Sequence, residues 1–408
     1  MGCGECIGVC PVDVKNEFNN ALDNRKAISL SFAGALPNVP FIDMTACLRA
    51  KGEECKLCSQ SCPLGEGIIL YDDAEEIVER QIGAVIVAAG AALYDAGLIP
   101  EVGYGTVSDI YTAFEFERLL SSTGPTGGRL ITSLGSVPES IAIIHCAGSL
   151  DGNHKEYCSG VCCQCAFKFN LMVEHKLPNT QIHHFYKELV YPGKEEYFLY
   201  KRAKENPNAT FTRYSNIDTI EISAGDEGGI IIKNILLEKG FIKTDMVVLC
   251  LAMVPAKDSA TLHEVLGTTA DTYGFFEQLH GCLDSTKSKV RGIYIAGACQ
   301  APVNIAQAMT QGTASAGYVL SGLVEGKQLE IEPITASVAA ERCSGCRVCM
   351  HLCPYRAIAF DAETRKSSVN DVLCQGCGTC VAACPAGAIS GNHFTNEAIF
   401  AEIEGVLS

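Results

Sequence analysis

The sequence predicts an α/β fold, a parallel-sheet core flanked by two small cysteine-rich α+β modules. Three observations predict it. Residues 80–330 alternate short β-branched runs with helical patterns, as a parallel α/β domain does. Residues 1–70 hold seven cysteines among Gly and Pro turn markers, and residues 341–390 hold eight. The two cysteine groups share a spacing motif that is the chain's internal repeat.

With 408 residues, 48% of them hydrophobic and 19% charged, the chain is globular and long enough for a large core. A net charge of −16 argues against a nucleic-acid partner, because neutralising phosphates needs a basic face. Apolar runs such as 84–89 reach neither membrane-spanning length nor the form of a signal peptide, so the expectation is a cytoplasmic protein without direct membrane insertion. There are 23 cysteines, an odd number, in a chain without an export signal. Tight cysteine clusters of this kind bind metal rather than form disulfides.

In the middle of the chain, the runs 84–89, 141–145 and 246–251 read as buried strands, and 292–297 as a strand ending in small residues. The Ala-, Gln-, Met- and Gly-rich stretch 304–323 predicts a helix packed on a sheet or cofactor. Residues 194–208 predict a solvated helix, and 325–333 a linker.

The carboxy-terminal module is the most specific. Cys343, Cys346, Cys349 and Cys353 precede Pro354, and Cys374, Cys377, Cys380 and Cys384 precede Pro385. Each is the C-x2-C-x2-C-x3-C-P run of bacterial ferredoxins, whose fourth cysteine ligates the other cluster. Cys343, Cys346, Cys349 and Cys384 are therefore expected to hold one [4Fe–4S] cluster, and Cys374, Cys377, Cys380 and Cys353 a second. A zinc site would instead show two C-x2-C pairs around one tetrahedron.

The amino-terminal module repeats the motif with one ligand absent. Cys3, Cys6 and Cys10 precede Pro11; Cys47 is followed, after a stretched gap, by Cys55, Cys58 and Cys62 before Pro63. The crossing rule groups Cys47, Cys55, Cys58 and Cys10 as a full set, and Cys3, Cys6 and Cys62 as a set of three. Three explanations stay open: a three-ligand or [3Fe–4S] site, a non-cysteine group in the gap, or a natural chain that starts further upstream. The last is favoured, with selenocysteine before Met1, its codon read as a stop, as its sharpest form.

Strand 84–89 followed by Gly90, and the strand ending at Gly297, look like return segments of a two-dinucleotide-domain flavoprotein. Its G-x-G-x-x-G phosphate turn is not found in this sequence, and residues 124–128 read as a surface turn. If FAD binds, its pyrophosphate end is held by sequence outside this chain. After strand 141–145, where a pyridine-nucleotide domain has its glycine turn, stand Cys146, Cys158, Cys162 and Cys163, which could gather a further cluster in place of NAD(P). That makes about five clusters in all. Cys250 reads as core, Cys299 as packing at the flavin edge, and His183 and His184 as strand or surface residues without a role.

Residues 10–18, 25–28, 114–120, 124–128, 157–163, 273–276 and 296–300 together resemble the A-type subunits of heterodisulfide reductases over nearly the whole chain. The resemblance implies a partial thioredoxin-reductase-like flavoprotein with two inserted or appended 2×[4Fe–4S] ferredoxin-like domains. It implies FAD contacts at Gly90, Gly297, Ala298, Cys299, Gln300, Asn304 and Ile305. The implied divisions are 1–72 (inserted ferredoxin-like domain), 73–125 (FAD-domain segment), 126–243 (second dinucleotide-type domain carrying a cluster), 244–328 (FAD-domain return) and 329–408 (carboxy-terminal ferredoxin domain). The implied partners are the B- and C-type subunits of a heterodisulfide reductase, a hydrogenase or formate dehydrogenase module, ferredoxin, and a chain carrying the missing flavin-binding half. Val303 stands where relatives commonly show lysine, which would favour an anionic reduced flavin. Relay without bifurcation therefore stays open beside electron bifurcation, as does a polyferredoxin-like scaffold with no flavin.

Overall fold

The computed structural model describes residues 2–65, 67–71, 76–225, 228–323 and 334–407. The expected linker 325–333 and the expected boundaries at 72/73 and 328/329 lie outside the described residues. The chain forms two units, Met1–Arg80 with Leu93–Met253, and Gln81–Ala92 with Val254–Ser408.

The first unit is built on a parallel sheet. Its parts are β1 (Ile110–Thr112), helix α1 (Ala113–Leu120), β2 (Ser140–Ala147), α2 (Cys162–Lys176), β3 (Gln181–Tyr186), α3 (Lys194–Glu205) and β4 (Ala209–Arg213). An antiparallel meander follows, β5 (Glu221–Ala224), β6 (Ile230–Lys233) and β7 (Phe241–Thr244), and then β8 (Met246–Leu251). The sheet order is β4-β3-β2-β8-β1, with every pairing parallel. Met246 is level with Ile141, and Ile141 with Ile182.

The period of two in β2 and β8 divides their apolar residues between two cores. Ala142, Ile144, Val247, Leu249 and Leu251 pack with Ile222, Ile230 and Ile232 of the meander. Ile141, Ile143, Met246, Val248 and Cys250 pack under α1 and α2, against Phe116 and Phe169. Each large side chain buried this way contributes about 1.5–3 kcal/mol. Helix α1 starts with a capping box, in which Glu115 N donates to Thr112 Oγ1 and Thr112 N donates back to the Glu115 carboxylate. Helix α3 stops at Glu205, short of the expected 208, because Asn206 precedes Pro207 and takes extended backbone.

The amino-terminal module of this unit has little apolar core and is tied by charge. Arg25 forks onto both Glu17 oxygens at 2.7 and 2.9 Å and reaches Asp43 Oδ2 at 3.0 Å.

In the second unit a four-stranded sheet runs in the order Gln278–His280, Asp284–Ser288, Ile293–Ile295, Val85–Val87. Val85–Val87 is the edge strand, so only the central part of the expected 84–89 run is paired before Gly90 turns at φ 73°. Asn304 caps helix Ile305–Gly322. In the carboxy-terminal module Ala336–Val338 pairs with Ile389–Gly391, and Ile358–Asp361 with Lys366–Val369, all antiparallel. Among the described residues no helix is long and apolar enough to cross a membrane.

Candidate metal centres

In the carboxy-terminal module each cysteine run is a tight loop leading into a short helix, Val348–Leu352 or Thr379–Ala383. The loop needs glycine. Gly345 and Gly376 stand at φ 72° and 64°, and a Cβ there would lie 2.5 Å from Arg365 O and 2.3 Å from Ile334 O. Cys343, Cys346, Cys349 and Cys384 line one small cavity. Cys374, Cys377, Cys380 and Cys353 line another. The fourth cysteine of each run thus stands with the first three of the other.

Backbone donors point at the sulfurs. Ala357 N donates to Cys353 Sγ and Ala388 N to Cys384 Sγ, both at 3.3 Å, and Ala336 N to Cys374 Sγ at 3.4 Å. The Ala-Ile pairs after the prolines serve two ends, since Ile358 and Ile389 are buried in the module's core. Backbone N–H groups of Ser367 and Gly345 hold the Cys343 thiol below its usual value, and burial with neighbouring thiols pushes Cys380 up.

In the amino-terminal module Cys10, Cys47, Cys55 and Cys58 line a small cavity. Cys3, Cys6 and Cys62 line a far larger one, with an apolar wall that includes Val39, Phe41, Met44 and Ile68. Gly4, at φ 83°, follows Cys3 as Gly378, at φ 75°, follows Cys377.

The middle cysteines gather where β2 meets α2. Cys146 lies just past the sheet's apolar run with φ 55°, a left-handed conformation that costs a non-glycine residue about 1–2 kcal/mol. Its sulfur and that of Cys163 both reach Glu188 O, at 3.9 and 3.5 Å, and Val190 N donates to Cys163 Sγ at 3.4 Å. Cys162 Sγ donates to Leu251 O at 3.6 Å. Cys158 is exposed, with Gly160 N donating to its sulfur at 3.3 Å. Cys162 and Cys163 open the 15-residue helix α2, whose amino-terminal dipole favours negative charge. Burial pushes the Cys163 thiol up to about 12, and burial with the neighbouring thiols raises Cys162 well above its usual value. A metal bound there would require thiolates and would have to offset that cost.

The chemistry of these donor sets suits iron–sulfur clusters: soft sulfurs grouped together, around a void in the two terminal modules, with N–H donors aimed at them. Among the described residues no three His, Cys, Asp or Glu side chains stand close enough to share a single ion.

The residues expected at a flavin also lie together in the second unit. Cys299 is wholly buried, with Val87 O and Ala296 O at 3.3 and 3.2 Å as the two acceptors within reach of its one S–H. Gln311 accepts from Gly297 N at 2.7 Å and donates to Gln300 Oε1 at 2.9 Å. Ala298 sits in the same turn, Gly297–Cys299. Ile305 is 81% exposed, and Met309 and Leu320 are exposed on the same helix.

The sequence reading missed three polar groups. His184, expected to have no role, is fully buried; its Nδ1 is 2.9 Å from His145 Nε2, and its Nε2 is 2.8 Å from Asn170 Nδ2. Burial draws His145 down to about 3, so its imidazole is neutral. Lys187 donates to Asp151 at 2.9 Å and to Leu150 O at 3.1 Å in the turn that follows β2. Tyr71 stands 2.8 Å from Cys58 Sγ. None belongs to a spacing motif; His145 next to Cys146 was the one hint available.

Residues 336–385 match the 4Fe-4S dicluster domain family. Over its full length the chain is 38% identical to the iron–sulfur A-type subunit of the CoB–CoM heterodisulfide reductase of Methanocaldococcus jannaschii, covering 61% of that protein. It is 36% identical to the A-type subunit of the H(2):CoB-CoM heterodisulfide,ferredoxin reductase of Methanothermobacter marburgensis, covering 60% of it. With the A-type subunit of the ferredoxin/F(420)H(2)-dependent CoB-CoM heterodisulfide reductase of Methanosarcina acetivorans it shares 34% identity over 88% of this chain and 45% of that one. A solved flavoprotein disulfide reductase from Escherichia coli aligns at TM-score 0.38 and 11% identity, covering 63% of this chain and 48% of that one, too slight a likeness to argue from. Over its full length the chain is thus similar to A-type heterodisulfide reductase subunits, and it spans about three-fifths of the length of the first two relatives.

Proposed function

We propose that this chain is the iron–sulfur and flavin part of a heterodisulfide-reductase-like complex that relays electrons between an input module and its acceptors. The observation that carries the reading is the grouping of thiols: three sets of four and one of three, each around its own cavity. The cysteines at the start of α2 supply a further set where a dinucleotide domain would seat NAD(P). Gly90, Gly297, Ala298, Cys299, Gln300, Asn304 and Ile305 would hold a flavin, which would supply the exchange between electron pairs and single electrons, and the grouped thiols would hold clusters suited to one-electron transfer. The protein's own part is to hold the sulfurs at fixed spacing, aim backbone N–H groups at them, and exclude water.

The flavin is shared with sequence outside this chain, and the exposed apolar residues of helix Ile305–Gly322 are the surface offered to it. The proposed partners are B- and C-type subunits, a hydrogenase or formate dehydrogenase module, and ferredoxin, in a cytoplasmic complex. Whether the complex bifurcates or simply relays turns on the flavin beside Val303.

The test is to isolate the native complex anaerobically and record its visible spectrum and its reduction of ferredoxin. Flavin bands above the broad cluster absorption, with ferredoxin reduced by the co-purifying donor, are the expected result. Clusters without flavin would leave the electron-wire scaffold instead. Absence of iron would overturn both.

A further inference from the structure

We propose that Tyr71, held by Arg49, is the hydrogen-bond donor that raises the reduction potential of the cluster bound by Cys10, Cys47, Cys55 and Cys58. The inference rests on the reading of those four thiols as a cluster site. Tyr71 Oη lies 2.8 Å from Cys58 Sγ, short for a contact between oxygen and sulfur. Between a thiol and a phenol either atom could donate. Once Cys58 is bonded to iron its sulfur has no proton, so the direction is fixed and the phenol donates. A hydrogen bond to a ligand sulfur withdraws charge from the cluster. It therefore stabilises the reduced form, which carries one more electron, over the oxidised form.

Two further observations make Tyr71 a built feature rather than a chance neighbour. The guanidinium of Arg49 lies 3.9 Å from the centre of the Tyr71 ring, close stacking that fixes the ring's plane and adds a positive charge two residues from Cys47. Tyr71 also lines both cavities of the module, the one with four thiols and the one with three. Its ring is thus part of the wall between two neighbouring redox sites, and its hydroxyl addresses only one. The arrangement biases one site against its neighbour, which gives a short relay its direction.

The experiment uses the full chain in its complex, comparing wild type with Tyr71→Phe by EPR-monitored redox titration and by ENDOR of the reduced clusters. Tyr71→Phe removes one oxygen and keeps the ring. Iron and sulfide content should be unchanged while one midpoint falls, so that at fixed potential its reduced-to-oxidised ratio drops about tenfold, about 59 mV for one electron. The ENDOR signal of one exchangeable proton should be lost with it. Replacing Tyr71 by 3-fluorotyrosine, a stronger donor of nearly the same shape, should move the same midpoint up. Should Tyr71→Phe lose iron, the fluorotyrosine protein decides. Unchanged midpoints in variants that keep their clusters would overturn the role of Tyr71. Wild-type protein without iron at this site would instead overturn the cluster reading beneath it.

Discussion

Lys187 and Asp151 meet at 2.9 Å with side chains only 5% and 6% exposed. A charge pair so deeply placed contributes little net stability when whole, but breaking it strands a charge. Lys187→Met is predicted to lower the unfolding free energy of the protein by about 3–5 kcal/mol in a urea titration. Lys187→Met combined with Asp151→Leu should cost less than the single change. Burial alone would raise the Asp151 carboxyl, but the hydrogen bond from Lys187 and the N–H of Asn153 outweigh it, and the group is held below its usual value. The stability it contributes is therefore fully present above the ordinary carboxylate range and is lost as the pH falls through the lowered folded value. Acid titration of unfolding should show that limb in the native protein and a flatter one in Asp151→Asn. None of this is legible in the sequence, because Asp151 and Lys187 are 36 residues apart and meet only through the turn after β2.

Among the elements, those with a period or a motif were legible. The alternation of Ile141 to Ile144 and of Met246 to Leu251 marks strands buried on both faces, and those strands form the centre of the sheet. The meander β5–β7 gave no such warning, since its strands are short and carry Glu221, Lys233 and Lys243 on the outside. Capping is a local matter and testable alone. Thr112→Ala removes the half of the box that Thr112 Oγ1 accepts from Glu115 N, leaves the backbone bond from Thr112 N to the Glu115 carboxylate, and is predicted to cost about 1 kcal/mol by chemical denaturation. Glycine in the cysteine loops is stricter. Gly345→Ala or Gly376→Ala would place a Cβ against Arg365 O or Ile334 O in a left-handed turn. Each is predicted to lower iron content by about four per chain, read by metal analysis, without abolishing the parallel-sheet unit.

Across the whole molecule, the pattern is one of soft ligands held at intervals along an acidic chain. The cysteine spacing announced the amino- and carboxy-terminal modules because each run is read within a few residues of sequence. The cluster-like set at β2 and α2 is less plain, because Cys146 is 12 residues from Cys158 and the two meet only through a fold. The cavities differ in two respects: three are small and present four sulfurs each, and one is far larger and presents three. Counting iron and acid-labile sulfide per chain in anaerobically isolated protein, with zinc measured alongside, tests the account most directly. The account predicts about four irons and four sulfides for every set of four thiols, including that at Cys146, Cys158, Cys162 and Cys163. Zinc in place of iron, or iron without sulfide, would contradict it.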